Sequence, residues 1–231
     1  MTLSRVQRHF TWGKNPALLT SQKSITTFDT MNRDTADTQT IDAYDTHVDR
    51  YDNLARLLPD RDAMNRFLAA LPAGGTILDF GCGTGAYAGL MQSLGFAVTA
   101  IDASAEMVRR AQSSYGVTAL QRHFDQLAMA DIFDGIWANF SLLHAKKTDF
   151  PGHLQAVHTA LRDRGFLHIA MKTGRGTFRD KLGRFYALYS RADLARLLDQ
   201  AGFDIIDETT GCDAGMAGIT EPWIAILARR R

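Results

Sequence analysis

The chain has 231 residues, enough for one α/β domain with a substantial core. Lys and Arg number 26 against 25 Asp and Glu, a formal net charge of +1 that gives no long-range attraction to nucleic acid or to an anionic membrane. Two cysteines, Cys82 and Cys212, are too few for a disulfide framework and read as free thiols in a reducing compartment, and no run of 18 apolar residues offers a bilayer span.

The first 30 residues carry Arg5, Arg8, Lys14 and Lys23 among Ser and Thr, with no acid before Asp29. That pattern fits either an organellar transit peptide or an upstream start ahead of Met31. The second reading is preferred, so residues 1–38 are expected to be disordered, residues 39–231 to form the domain, and the protein to be cytoplasmic. From Asp29 to Asp52 the balance reverses, with seven Asp and two Arg. A helix is expected over His47 to Leu58, stopped by Pro59. Asp60 then caps a second helix with Met64, Phe67, Leu68 and Leu71 on one face.

Thr76 to Phe80 reads as a buried strand, followed at once by Gly81, Gly83 and Gly85 and by a helical pattern through Tyr87, Leu90, Met91 and Leu94. A strand, a glycine turn and a helix N-terminus make a polar docking site for a nucleotide-like ligand, since residues without Cβ let a ligand approach the backbone. Phe96 to Ile101 is the second strand, closed by Asp102, whose carboxylate suits ribose hydroxyls. With Ala86 in last place the turn also satisfies G-x-G-x-x-G/A, so a dinucleotide stays open at this point. Asp79, within the strand where a dinucleotide strand carries an apolar residue, points away from it.

Ser104 caps a helix with Met107, Val108 and Ala111 inward, and Gly116 ends it. Val117 to Gln121 and Phe133 to Ala138 are the third and fourth strands. A helix with Leu154, Val157 and Leu161 inward leads through Gly165 to a strand from Phe166 to Met171. Leu194, Leu197 and Leu198 mark the last helix, ended by Gly202. Phe203 to Glu208 and Trp223 to Ala228 have only the Gly-rich Thr209–Pro222 between them, so they pair antiparallel.

Leu78-Asp79-Phe80-Gly81-Cys82-Gly83-Thr84-Gly85 and Ala100-Ile101-Asp102-Ala103-Ser104 resemble the first two motifs of class I S-adenosylmethionine-dependent methyltransferases, over roughly residues 40 to 231. The resemblance implies a doubly wound, Rossmann-like α/β fold: a seven-stranded, mostly parallel sheet with a C-terminal antiparallel hairpin and helices on both faces. It implies that Asp79 supports the Gly loop near the methionine amine and that Asp102 binds the ribose. The cofactor set it implies is Asp79, Gly81, Cys82, Gly83, Gly85, Asp102, Ala103, Met107, Phe124, Asn139 and Phe140, with Asn139 and Phe140 beside the sulfonium. His123 stands where the family carries an acid for the adenine amine, and Asp125 is the substitute.

His144, after the fourth strand, is the candidate base, since an imidazole titrates near neutrality. Lys172 to Tyr186 carries five basic residues and one acid and starts at the active-site edge of the sheet, which suits a lid over substrate. Its Arg-Asp-Lys-Leu-Gly-Arg-Phe-Tyr stretch resembles small-molecule methyltransferases near the tellurite-resistance group, making Arg179, Arg184 and Tyr186 the substrate-side candidates. Tyr44 and Tyr51 are placed to close the pocket from the other side. His9, His47, His153, His158 and His168 show no metal-ligand grouping, and no metal is expected.

The expected activity is in-line methyl transfer from S-adenosyl-L-methionine to a small molecule, with an anionic acceptor among the options. Neither nucleic acid nor membrane is an expected partner, and the chain is expected to be a monomer or homodimer. The alternatives are a cofactor-binding module without turnover and a nicotinamide-dependent oxidoreductase.

Overall fold

The computed structural model describes residues 36–56 and 61–231. The expectations for residues 1–35 of the N-terminal extension, for Pro59 as a helix stop and for Asp60 as a cap fall on residues outside that set, whereas residues 36–38 of the expected extension are described and ordered, Thr38 beginning the first helix.

Two short helices, α1 (Thr38–Thr46) and α2 (Val48–Ala55), precede α3 (Arg61–Ala69). Helix α2 falls within the helix expected from His47, and α1 is a further helix ahead of it. Asp37 caps α1, its side chain accepting from the Thr40 N–H at 3.0 Å. The alternating units follow: β1 (Thr76–Phe80), α4 (Ala86–Ser93), β2 (Ala97–Asp102), α5 (Ala105–Tyr115), β3 (Thr118–Gln121), β4 (Phe133–Asn139), α6 (Phe150–Ala160) and β5 (Leu161–Lys172). A small hairpin of β6 (Thr177–Arg179) and β7 (Phe185–Ala187) leads to α7 (Arg191–Gln200), and β8 (Phe203–Ala214) with β9 (Thr220–Arg230) completes the chain.

The main sheet has seven strands in the order β3-β2-β1-β4-β5-β9-β8, parallel through β5, with β9 antiparallel to both β5 and β8. Successive strand residues point to opposite faces, so each inner strand feeds two cores. Leu78, Phe80, Ile136 and Ile169 pack with Phe150, Leu154, Leu194 and Leu198 from α6 and α7. Ile77, Val98, Ala100 and Trp137 pack with Met64, Phe67, Met91 and Val108 from α3, α4 and α5. Full burial of each large side chain contributes on the order of 1.5–3 kcal/mol.

Two boundaries differ from the sequence reading. Leu161 is the first residue of β5, paired with Phe133, and Gly165 lies inside that strand. The i, i+3, i+7 spacing of Leu154, Val157 and Leu161 continues past the end of α6 because both helix and strand bury an apolar residue there. The C-terminal pair is antiparallel as expected but longer, and absorbs most of the Gly-rich linker. Gly211 sits in β8 because Trp223, opposite it on β9, leaves no room for a Cβ. No helix among the described residues is long and apolar enough to cross a membrane.

Candidate active site

At the carboxyl end of β1 the chain turns on Gly81 (φ +83°) and Gly83 (φ +54°), both left-handed. A Cβ on Gly81 would collide with Ser141, and one on Gly83 would lie 2.6 Å from the Tyr51 ring. The N–H groups of Gly81 and Cys82 both donate to the Ile101 carbonyl, at 2.8 and 2.9 Å. That fixes the turn against the end of β2.

Asp102 ties the same two elements together. One carboxylate oxygen accepts from the Gly83 N–H and the other from the Ser104 N–H, each at 2.9 Å. Burial pushes its carboxyl above the usual range, while those backbone donors pull the other way. Ser104 caps α5 at Met107 N and donates to Asp45 from the α1 end.

Asp79 is 2% exposed and accepts a backbone hydrogen bond from Ala88, but its Oδ2 has no partner. Burial, reinforced by the charge of Asp102, pushes its carboxyl up to about 8.

Gly81, Gly83, Asp102 and Ser104 border a cleft whose empty space, its open mouth included, is about 810 Å³, at the carboxyl ends of the parallel strands, where ligands of open α/β sheets bind. Gly81, Gly83, Asp102, Ala103, Met107, Phe124, Phe140 and His144 all line it, as do Tyr44 and Tyr51. His123, Asp125, Ser141 and His153 complete the strand side. Helix α1 contributes Thr40 and Ile41, and Asp37 precedes it. These three escaped the sequence reading; an Asp three residues before Thr40 and a Tyr three after Ile41 were the available helix signal.

Asp79, Cys82, Gly85, Asn139, Arg184 and Tyr186 do not line the cavity, and each has another environment. Cys82 is buried among apolar residues of α3 to α5, which pushes its thiol up and keeps it protonated. Gly85 (φ +83°) lets α5 approach, since a Cβ there would meet Ala111. Asn139 bonds through Oδ1 to His168 Nε2 at 3.1 Å.

His144 differs most from expectation. Its Nδ1 lies 2.6 Å from the Phe185 carbonyl, which can only accept, so Nδ1 carries the proton. Nε2 then accepts from the Tyr44 hydroxyl at 2.8 Å. Burial pulls the imidazole down to about 3; the Phe185 carbonyl opposes this, and the charge of Arg184 adds to it. The ring is neutral near pH 7, and its one acceptor is taken by Tyr44.

Arg184 and Tyr186 are each 3% exposed. Arg184 donates Nε and Nη2 to Asp180 Oδ2, at 3.0 and 2.6 Å, and Nη1 to the Tyr44 hydroxyl at 3.1 Å. Tyr186 stacks on Phe178 and lies under the Lys172 ammonium. Arg179 pairs with Asp37 through both terminal nitrogens. The basic segment is thus a folded hairpin whose Arg179 and Arg184 are committed to carboxylates. Apart from histidines and tyrosines, the ionisable side chains among the described lining residues are Asp37, Asp102 and Asp125. Among the described residues no group of three or more His, Cys, Asp or Glu is placed to hold a metal ion.

Comparison with known proteins identifies the constellation. The family model described as a methyltransferase domain matches residues 46–208. The O-methyltransferase cnsE of Penicillium expansum is 34% identical over 172 residues, covering 67% of this chain and 62% of its own. The malonyl-[acyl-carrier protein] O-methyltransferase of Pectobacterium atrosepticum is 38% identical over 84 residues, 35% of this chain and 32% of its own. The chain thus spans less than two thirds of the length of either relative. Among solved structures, the 1,6-didemethyltoxoflavin-N1-methyltransferase of Burkholderia thailandensis, bound to 1,6-didemethyltoxoflavin and S-adenosylhomocysteine, superposes with a TM-score of 0.65 at 24% identity, covering 82% of this chain and 87% of its own. The glycine turn, the carboxylate closing β2, the strand order and the match over residues 46–208 agree: the chain belongs to the methyltransferase domain family.

Proposed function

We propose that the protein transfers a methyl group from S-adenosylmethionine to a small-molecule acceptor bound in the cleft beside the Gly81–Gly83 turn. The observation that carries this reading is the pairing of the Gly81–Gly83 turn with the Asp102 carboxylate at the cavity wall. The residues fit the cofactor: Gly81 and Gly83 present bare backbone on the cavity wall, and Asp79 Oδ2 is a buried acceptor without a partner. Asp102 retains lone pairs for ribose hydroxyls while accepting two backbone bonds. Phe124 and His123 flank the place for the adenine.

The bound cofactor supplies a methyl group already activated on a sulfonium. The protein has to hold the acceptor in line and keep water out, and Tyr44, Tyr51, Phe140 and Ile41 are the surfaces that do so. The curated relatives are named for O-methylation and the solved one for N-methylation of a heterocycle, so the acceptor class is an O- or N-nucleophile. Carboxylates on the wall and arginines withdrawn from it favour a neutral or cationic acceptor over an anionic one.

Titration calorimetry with S-adenosylmethionine tests the reading. Asp102→Ala is expected to weaken binding at least about tenfold, the value of a charge-assisted hydrogen bond of about 1.5–3 kcal/mol. Absence of binding, alongside tight binding of NAD, refutes it. Mass-spectrometric screening of small O- and N-nucleophiles for a 14 Da gain, about one methylene, then identifies the acceptor.

A further inference from the structure

Tyr44 and His144 both line the cleft, and a hydrogen bond joins them across its wall. The Tyr44 ring stands edge-on to Tyr51 at 5.6 Å, and Tyr51 covers Gly83, so Tyr44 lies one ring beyond the glycine turn. Asp102 is within its electrostatic reach.

A phenolic oxygen donates once and accepts through two lone pairs. Tyr44 donates to His144 Nε2 at 2.8 Å and accepts from Arg184 Nη1 at 3.1 Å, which leaves one lone pair with no partner among the described residues. Behind it the imidazole is fixed, its Nδ1–H donating to the Phe185 carbonyl at 2.6 Å. Free lone pair, hydroxyl proton and Nε2 lone pair thus stand in sequence, a route for one proton from the cleft into its wall. What fills the free lone pair is an O–H or N–H donor.

The ring selects between them. Burial pulls His144 down to about 3; the Phe185 carbonyl and Asp180 oppose this, and the charges of Arg184 and Lys172 add to it. Such a ring takes a proton only from a strong acid. An alcohol or phenol becomes one as its oxygen gains a third bond, whereas a methylated amine is an ammonium of about 10 and keeps its proton.

We propose that Tyr44 is the catalytic contact for a hydroxyl acceptor, its free lone pair receiving the acceptor's proton while its own proton passes to His144 Nε2. The inference rests on the methyl-transfer reading above and narrows its acceptor to an O–H. As a lone pair of the acceptor oxygen bonds to the methyl carbon, the carbon–sulfur pair stays with sulfur and the O–H proton moves to Tyr44. Tyr44 ends as it began, and His144 holds the proton until water in the opened cleft removes it.

The test uses phenol and anisole, the same ring with and without the O–H, on the full chain saturated with S-adenosylhomocysteine. The preference for phenol over anisole, measured by calorimetric titration, should fall at least about fivefold in Tyr44→Phe, which keeps the ring and loses the hydroxyl. An equal preference in both proteins, or no phenol binding to the wild type, overturns the contact. With S-adenosylmethionine as the nucleoside, single-turnover conversion of phenol to anisole should slow by about 100-fold or more in Tyr44→Phe and in His144→Gln alike. A rate that survives either substitution, or no conversion by a wild type that binds phenol, overturns the proton route. Should a variant fail to fold, the wild-type rate in heavy water decides: it should be slower than in ordinary water, and an equal rate overturns the route. A wild type that does not bind S-adenosylhomocysteine refutes the cofactor reading itself, which separates the two failures.

Discussion

Replacing Arg184 by Met removes a guanidinium that is 3% exposed and makes two hydrogen bonds to Asp180 and one to Tyr44. The Asp180 side chain is equally buried; burial pushes its carboxyl up, and the hydrogen bonds and charge of Arg184 more than offset this, holding it below the usual range. Removing one partner leaves an uncompensated buried charge, a loss of about 3–5 kcal/mol. At about 2–4 °C per kcal/mol for a domain of this size, the melting temperature should fall by roughly 6–20 °C in differential scanning calorimetry. Asp180→Leu combined with Arg184→Met removes both charges and should recover most of that loss. A substrate-facing arginine, as the sequence suggested, behaves differently: KM rises while the melting temperature holds. A shift below about 2 °C together with a raised KM would refute the structural assignment of Arg184.

Acid stability follows from groups of opposite sign. Burial holds His144 and His168 down to about 3, so below the ordinary histidine value near 6.5 the unfolded chain takes up protons that the folded chain refuses. Stability is therefore full above about 6.5 and is lost as pH falls toward 3, by up to about 1.4 kcal/mol per unit for each ring. Asp79, raised to about 8, works the other way, its contribution being lost as pH rises from about 4 to 8. Asp79→Asn removes that opposition, so its unfolding free energy, measured by denaturant titration, should drop more steeply than that of the wild type between pH 6.5 and 5, by about 1.4 kcal/mol per unit; parallel curves would contradict the Asp79 assignment. Gly83→Ala combines a left-handed φ with a Cβ 2.6 Å from the Tyr51 ring and should lower the melting temperature. In a Tyr51→Ala background the contact is gone and only the backbone cost of about 1–2 kcal/mol remains, so the double-mutant cycle should show coupling. Additive losses would mean that Tyr51 does not pack there.

The glycine turn, Asp79 and Asp102 were legible because their chemistry is local: a strand, a φ only glycine takes readily, and a carboxylate at the next strand end. The antiparallel C-terminal pair was legible from the missing crossover. The fate of Arg184 was harder to read. Asp180 stands four residues before it, the spacing of a helical ion pair, yet the two meet within a β-hairpin turn, where sequence offset does not report distance. Position on the strand side of the cavity was legible for His144, but its protonation was not, because Tyr44 and Phe185 reach it from 100 and 41 residues away.

Helix α1 buries only Thr40 and Ala43. It is held to the β6–β7 hairpin largely by polar links: Asp37 to Arg179, Tyr44 to Arg184, and the Thr40 hydroxyl to the Phe185 N–H. Helix α6, by contrast, is seated by Phe150, Leu154 and Val157 in the main core. An element fastened by hydrogen bonds detaches at a small fraction of the global unfolding free energy. Amides of residues 38–46 should therefore exchange with deuterium long before those of α6. Ligand traffic through the cavity can then follow the undocking of a single helix, while the sheet that carries the glycine turn stays folded.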